Sequence, residues 1–296
     1  LTVDLIVNPA SGPAVGRVPR ADRVRFVSHL LRSYGATTIR ATETRGQGDG
    51  TRAVRAALEA GTDRLVVWGG DGTLNEVAAG LLDTGVSLGI IPGGSGNGFA
   101  RGLGLPLDVQ TAVEVAMRGR PRDVDTGRVD GHAFLNVAGV GLDASVAARF
   151  NTRNLRRGLV PYITSILTEW RTAEPHRFSL RLDDALPLEM EAHFVVVCNG
   201  QQYGHGARVA PAAAFDDGLL DVVAVPHVTL GRMVRHGWRL FNGTLPSVPG
   251  VFTGRARRVA ISQATALPIH LDGEVIGAET TRTFDVRPRS LRVSCP

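Results

Sequence analysis

The chain has 296 residues, 43% of them hydrophobic, with 36 glycines and a net charge of +5, enough for two domains or one large one with a real core. All 33 basic residues are arginine, which excludes a Walker A loop, a lysine Schiff base and any site built on paired lysines. Aromatics at 5% leave the arginines without interleaved stacking residues, so the charge argues against nucleic acid and leaves acidic membrane lipids as a possible partner.

In chain order, Leu1 to Val7 is an apolar strand rather than a basic leader, and no run approaches the roughly 18 apolar residues of a membrane span. Val24, Val27, Leu30, Leu31 and Tyr34 form a helical stripe, Thr37 to Ala41 a short strand, and Ala53, Ala57 and Leu58 begin a second stripe. Leu65 to Trp68 and Leu88 to Ile91 are strands separated by a helix on Leu74, Val77, Ala78, Leu81 and Leu82, and Val109, Ala112, Val113, Ala116 and Met117 form the next stripe. This alternation predicts a doubly wound, Rossmann-like parallel sheet over residues 1–120. From 121 to 296 the rhythm changes to short apolar runs, at Ala133 to Val140, Phe178 to Leu182, Phe194 to Cys198, Leu219 to Val225, Val259 to Ile261, Phe284 to Val286 and Leu291 to Val293. They predict a mainly antiparallel β-domain, interrupted by helices at Leu155 to Arg171 and Leu230 to Phe241. Cys198 and Cys295 give neither a disulfide framework nor a zinc site, which fits a reducing cytoplasm.

The chemistry gathers at two glycine-rich turns, Gly69 to Thr73 (GGDGT) and Gly93 to Gly98 (GGSGNG), each at the end of a strand. Ligands of a doubly wound sheet bind there, and backbone N–H groups beside a helix N-terminus receive anions. Asp71 inside the first turn would repel phosphate unless a cation or reacting hydroxyl lay between them, which points to phosphoryl transfer. Asn8 and Ser11 either contact a nucleotide or shape the turn after the first strand. Asp216, Asp217 and Asp221 flank Gly218 as a hard-cation site or a polar turn, and Glu274 follows Asp272-Gly273 either as a catalytic carboxylate or as part of a hairpin turn. Gly139 to Ala144 matches a loose dinucleotide pattern, but no acidic residue ends a second strand about twenty positions later, so it reads as a decoy.

Asn8-Pro9-Ala10-Ser11-Gly12, GGDGTLNEV from Gly69, GGSGNGFAR from Gly93, Phe215 to Asp221 (FDDGLLD) and Leu271-Asp272-Gly273-Glu274 stand in the order of the diacylglycerol kinase catalytic-domain family, and the chain resembles a bacterial lipid kinase of that family over nearly its whole length. The resemblance implies an NAD kinase/diacylglycerol kinase-like fold, with an α/β domain followed by a β-sandwich-like domain and ATP and lipid meeting in the cleft. It implies that Gly69, Gly70, Asp71, Gly72, Thr73, Leu74 and Asn75 hold the ATP phosphates. Ser95 supplies a hydroxyl contact, Asn97 belongs to the same turn, and Thr44 matches the family threonine, with Thr42 a near competitor. It further implies a Mg2+ site at Asp217 with the carbonyls of Ala214 and Leu219, and Glu274 as catalytic base beside Asp71. Many bacterial members read Asn-Asp-Phe-Ala where this chain has Asn97-Gly98-Phe99-Ala100, a form closer to the sphingosine kinase branch, whose amine-reading aspartate is offset here at Asp143, with Ser145 near its place.

The implied activity is an ATP- and Mg2+-dependent kinase acting on the hydroxyl of a membrane lipid, diacylglycerol or a sphingoid or ceramide-like alcohol. Such an enzyme belongs at the inner face of the membrane as a peripheral protein, with a homodimer as a family-level expectation. Two basic stretches are either membrane contacts or a solvated rim beside a core stripe. One is Arg149, Arg153, Arg156 and Arg157 before the apolar stripe Leu159, Tyr162, Ile163, Ile166, Leu167 and Trp170; the other is Arg232, Arg235 and Arg239. An NAD kinase-like small-molecule kinase and a non-catalytic nucleotide-sensing or membrane-binding module remain alternatives.

Overall fold

The computed structural model describes residues 1–11, 18–142, 144, 174–226 and 228–296. The expected helix at Leu155 to Arg171, the first basic stretch, Asp143 and Ser145 lie outside them. The chain forms two compact units, Leu1–Val124 with Arg289–Pro296, and Asp125–Pro288. The first unit ends close to the expected boundary at 120, but it also takes back the last eight residues, which sequence reasoning gave to the second domain.

The first unit is a parallel sheet. β1 (Thr2–Val7) lies between β2 (Thr38–Glu43) and β3 (Arg64–Gly69), and β3 pairs with β4 (Ser87–Pro92). Val3, Leu5 and Val7 of β1 and Val66 and Trp68 of β3 pack on α1 (Arg23–Ser33) and α5 (Val109–Arg118). Ile6, Leu65 and Val67, which alternate with them, are equally buried, so helices cover both faces, as near-continuous apolar strands require. α2 (Asp49–Glu59) and α3 (Asp71–Leu81) pack on each other at Gly80, where a Cβ would stand 2.9 Å from Val54 Cγ1. A short α4 (Gly98–Gly102) follows the second glycine turn.

The second unit is antiparallel. β7 (Val137–Gly141) and β8 (His176–Leu182) lie end to end between β9 (Leu188–Cys198) and β12 (Arg258–Leu271). β10 (Leu220–Pro226) and β11 (Phe252–Ala256) extend the β9 side, while β13 (Glu274–Cys295) pairs with β12. β5 (Arg120–Val129) pairs with β13 and with β6 (His132–Phe134). One core joins Phe134, Phe178, Val195, Val197, Ile269 and Phe284. A second, formed by the alternate residues Val137, Val196, Cys198 and Val223, is closed over by Leu240, Leu245 and Val251.

Three sequence expectations change. The run from Ala133 to Val140 is two strands, because Leu135 and Asn136 leave the ladder to bind the Asp272 carboxylate. The runs at Phe284 and Leu291 belong to one strand, β13, which passes from the second unit to the first at Pro288/Arg289, where Arg289 takes φ 51°. The helix expected at Leu230 to Phe241 is two short helices, Leu230–His236 and Arg239–Asn242. Gly139 to Gly141 lies inside β7.

Candidate functional site

In the first unit the two glycine turns touch backbone to backbone. A Cβ on Gly94 would sit 2.9 Å from the Gly70 Cα, and one on Gly93 2.8 Å from Ser11 Oγ, so glycine is required for close approach rather than for an unusual φ. Gly93 N–H donates to the Gly69 carbonyl at 2.7 Å. Asp71, the first residue of α3, joins the turns: its carboxylate accepts from Asn97 N–H and Gly98 N–H, both at 3.0 Å. The repulsion argued from sequence is thus answered by two backbone donors. Asp71, expected among the catalytic carboxylates, is placed by these bonds as a clamp.

Asn97 sits in the left-handed region at φ 49°. Its side chain is returned to its own turn, donating to the Gly94 carbonyl and accepting from Gly94 N–H, both at 2.8 Å. Leu74 is buried, and its N–H donates to the Gly70 carbonyl at 3.0 Å. Both residues build the turn. Gly72, Thr73 and Asn75 are half-buried at the start of α3, and no side chain caps that helix. The N–H groups of a first turn have no partner within the helix, so this uncapped terminus offers donors and the positive end of the dipole to an anion. Ser95 is half-exposed on the facing turn.

Asn8 donates from Nδ2 to Thr73 Oγ1 at 2.7 Å, and Ser11 Oγ donates to the Asn8 carbonyl at 2.8 Å. Both therefore shape the loop after β1 and bring it to the first glycine turn. Thr44 is buried just past β2, its N–H donating to the Val7 carbonyl at 2.9 Å, whereas Thr42 is exposed within β2 opposite Ile6. The structure therefore sets Thr44, not Thr42, at the sheet end that carries the turns.

Sequence reasoning missed the groups that hold these loops. Glu76, the acid of GGDGTLNE, accepts from Gly48 N–H at 2.9 Å and Gly50 N–H at 3.0 Å, fastening the loop after Thr44 to α3. Asp49 accepts from Arg45 N–H at 2.7 Å and Gly46 N–H at 3.0 Å, and those bonds hold its carboxyl below the ordinary range. Arg23 is fully buried. Its Nη1 donates to the Ser11 carbonyl at 2.9 Å and to those of Asn8 and Pro9 at 3.4 Å, while the guanidinium stacks 5.0 Å from the Trp68 ring. Burial, then the nearby Arg20 charge, lowers its pKa. Side-chain-to-backbone bonds of this kind leave no periodic signal; only the acids within the motifs hinted at them.

In the second unit, Asp272 and Gly273 take φ 50° and 92°, and Leu271 pairs with Glu274, so the β12–β13 connection is a tight two-residue hairpin. The Asp272 carboxylate accepts from Leu135 N–H at 2.7 Å and from Asn136 and Val137 N–H at 2.9 Å each. Asn199 Nδ2 braces the same loop through the Leu135 carbonyl at 2.7 Å. Glu274 is exposed at the first position of β13, presented by a turn fixed at both ends.

Asp217 lies on the turn with Ala214 and Leu219, but its Oδ1 accepts from Leu219 N–H at 3.0 Å and its Oδ2 is paired with the Arg255 guanidinium. Arg255 also reaches Asp221 at 3.4 Å, and burial, opposed by Arg255, pushes the Asp221 carboxyl up. Asp125 holds the turn from below, accepting from Gly218 N–H at 2.7 Å. The expected ligand thus already faces a cation, and among the described residues no group of three His, Cys, Asp or Glu is arranged for a metal. As held, these residues do not fit a magnesium ion. Also among the described residues, no helix is long and apolar enough to cross a membrane.

Comparison with known proteins places the chain in a family. Residues 2–129 match the diacylglycerol kinase catalytic domain, and 136–295 the YegS C-terminal NAD kinase beta sandwich-like domain. A protein of Chromohalobacter salexigens named "Probable lipid kinase YegS-like" is 34% identical over 255 residues, covering 84% of this chain and 81% of its own. One of the same name from Pseudomonas aeruginosa is 36% identical over 261 residues, covering 84% and 82%. The crystal structure of a diacylglycerol kinase from Bacillus anthracis is 26% identical and superposes with a TM-score of 0.80, over 100% of this chain and 97% of that one. An NAD kinase from Archaeoglobus fulgidus in complex with ATP, 11% identical with a TM-score of 0.54 over 99% and 93%, shares the fold.

Proposed function

Because this chain belongs to the YegS-like lipid kinases of the diacylglycerol kinase catalytic-domain family, we propose that it transfers the γ-phosphoryl group of ATP to the hydroxyl of a membrane lipid, diacylglycerol or a sphingoid or ceramide-like alcohol. The observation that carries this reading is the uncapped N-terminus of α3, framed by two glycine turns that Asp71 clamps together. A triphosphate is the anion such a terminus suits, with the N–H groups of Gly72 and Thr73 as donors and Ser95 offering a hydroxyl from the facing turn. In a chain without lysine, backbone groups of Gly69, Gly70 and Gly72 carry work that a lysine does elsewhere.

Magnesium, which would accompany ATP, would supply neutralisation of the phosphate charge. The chain's own part is to align and to move one proton. Glu274 accepts the proton of the lipid hydroxyl, the oxygen forms a bond to the γ-phosphorus, the bond to the β–γ bridging oxygen breaks, and ADP departs with that electron pair. A positioned base is worth roughly a hundredfold to ten-thousandfold. Asp71 acts through the turns it holds, and Asn8, Ser11, Thr44 and Asn97 set their shape.

The test is transfer of labelled γ-phosphate from ATP into an extracted lipid mixture with magnesium. Product from the native chain, lost in Glu274→Gln and strongly reduced in Asp71→Asn, supports the reading, and the product's migration assigns the lipid class. Absence of labelled lipid together with phosphorylation of a soluble acceptor would favour a small-molecule kinase instead.

A further inference from the structure

The two short helices Leu230–His236 and Arg239–Asn242 divide their side chains by task. Leu240 turns inward with Leu245 and Val251 onto the core of Val137, Val196, Cys198 and Val223. Val234, Trp238 and Phe241, spaced by four and three residues, remain 63%, 57% and 40% exposed. Three large apolar side chains within so short a segment, all open to water, are not what a segment serving only its own core presents.

The segment itself carries one sign of charge. No acidic residue stands between Asp221 and Asp272, and while Arg255 and Arg258 are paired with Asp217, Asp221 and Asp285, the helical segment adds Arg232, Arg235 and Arg239. Arg232 and Arg235 are exposed, Arg232 reaching the Pro249 carbonyl at 3.0 Å, and the Arg239 guanidinium lies 5.4 Å from the Trp238 ring. Burial, followed by the charges of Arg239, Arg235 and Arg232, lowers the pKa of His236. Exposed tryptophan and phenylalanine with arginine heads beside them match the boundary of an anionic bilayer, with rings at headgroup depth and guanidinium groups on the phosphates.

We propose that the Val234–Trp238–Phe241 face, flanked by Arg232, Arg235 and Arg239, is the surface by which this protein docks on an anionic lipid bilayer. The proposal rests on the lipid-kinase reading only for its purpose, not for its geometry. Lipid surfaces, rather than a protein partner, are favoured because the charge of the helical segment is of one sign and the exposed apolar side chains are few. Each arginine near an anionic surface contributes about fivefold to binding, so the pair Arg232 and Arg235 accounts for roughly 25-fold.

The experiment is co-sedimentation of the full chain with vesicles of equal parts phosphatidylcholine and phosphatidylglycerol, against pure phosphatidylcholine, with the emission of Trp238 followed by comparison with Trp238→Phe. The native chain is expected to bind the anionic vesicles, with a blue shift that Trp238→Phe lacks. Binding should fall by roughly 25-fold in Arg232→Gln/Arg235→Gln and by tenfold or more in Trp238→Ser/Phe241→Ser, while circular dichroism and activity on detergent-dispersed lipid stay as in the native chain. Equal binding of native and variant chains, or no binding by the native chain, overturns the proposal. So does a dimer seen without vesicles that Trp238→Ser/Phe241→Ser disrupts, since a second copy would then cover the face. Failure of the kinase reading is visible separately, as no phosphotransfer in detergent whatever the vesicles show.

Discussion

Replacing Asp272 by alanine should destabilise the second unit and silence the enzyme by displacing Glu274. The carboxylate receives three backbone N–H groups, from Leu135, Asn136 and Val137, at 2.7–2.9 Å, and all three residues are buried. A buried donor left without a partner costs about 1 kcal/mol at the low end, so three cost about 3 kcal/mol. For a domain of this size that is a fall of roughly 6–12 °C in the unfolding midpoint. The freed hairpin carries Glu274 two residues on, and a displacement of about 1 Å at a reacting group costs about a hundredfold in rate. Asp272→Asn keeps the shape and one acceptor oxygen, and should lose less of both. Thermal unfolding by circular dichroism and γ-phosphate transfer, measured on the same preparations, give both quantities. An unchanged midpoint in Asp272→Ala would refute the reasoning, as would a full loss of stability with normal turnover in the surviving folded fraction.

Gly94→Ala should force the two glycine turns apart, since its Cβ would meet the Gly70 backbone at 2.9 Å; overpacking of this kind costs about 1–3 kcal/mol, and steady-state kinetics should show a raised KM for ATP. Asp108→Ala removes the acceptor that caps α5 through Gln110 and Thr111, a loss of about 1 kcal/mol at neutral pH. Thr111, through hydroxyl and N–H, and then Gln110 hold the Asp108 carboxyl below its ordinary 3.8. Its contribution is therefore present above that value and fades as pH falls through the lowered pKa, so native and Asp108→Ala midpoints should converge in acid. Magnesium without nucleotide should leave the native unfolding midpoint unmoved, because Arg255 already faces Asp217 and Asp221. Arg255→Met should gain a magnesium-dependent rise in scanning fluorimetry, and a rise in the native chain would show that the turn takes the metal after all.

Much of the first unit is legible because its signals are local. Strand, glycine turn and helix follow one another within twenty residues, and the alternation of β1 to β4 with helices is written in hydrophobic spacing. The division of labour among the motif residues was not legible. Asp71 and Asn97 look like ligands in a linear motif, yet their oxygens answer backbone N–H groups contributed by the neighbouring or the same turn. Asp272 finds its partners more than 130 positions earlier in the chain, and no spacing rule reports such a pairing. The apolar runs at Phe284 and Leu291 belong to one strand, β13, whose polar middle carries the passage between units and interrupts the hydrophobic signal.

That passage bears on how the protein is made. The second unit is an insertion within the first: the polypeptide leaves a parallel sheet after Val124 and re-enters it at Arg289, where Val293 comes beside Leu88 and Ser294 Oγ stands 3.0 Å from Ser87 Oγ. During synthesis the parallel sheet therefore waits, the β4 edge uncovered, until everything between has been translated. The β-rich insert can mature while its host is incomplete, and Arg289 to Cys295 acts as the late closing strand, so its loss would be felt first in the unit that begins the chain.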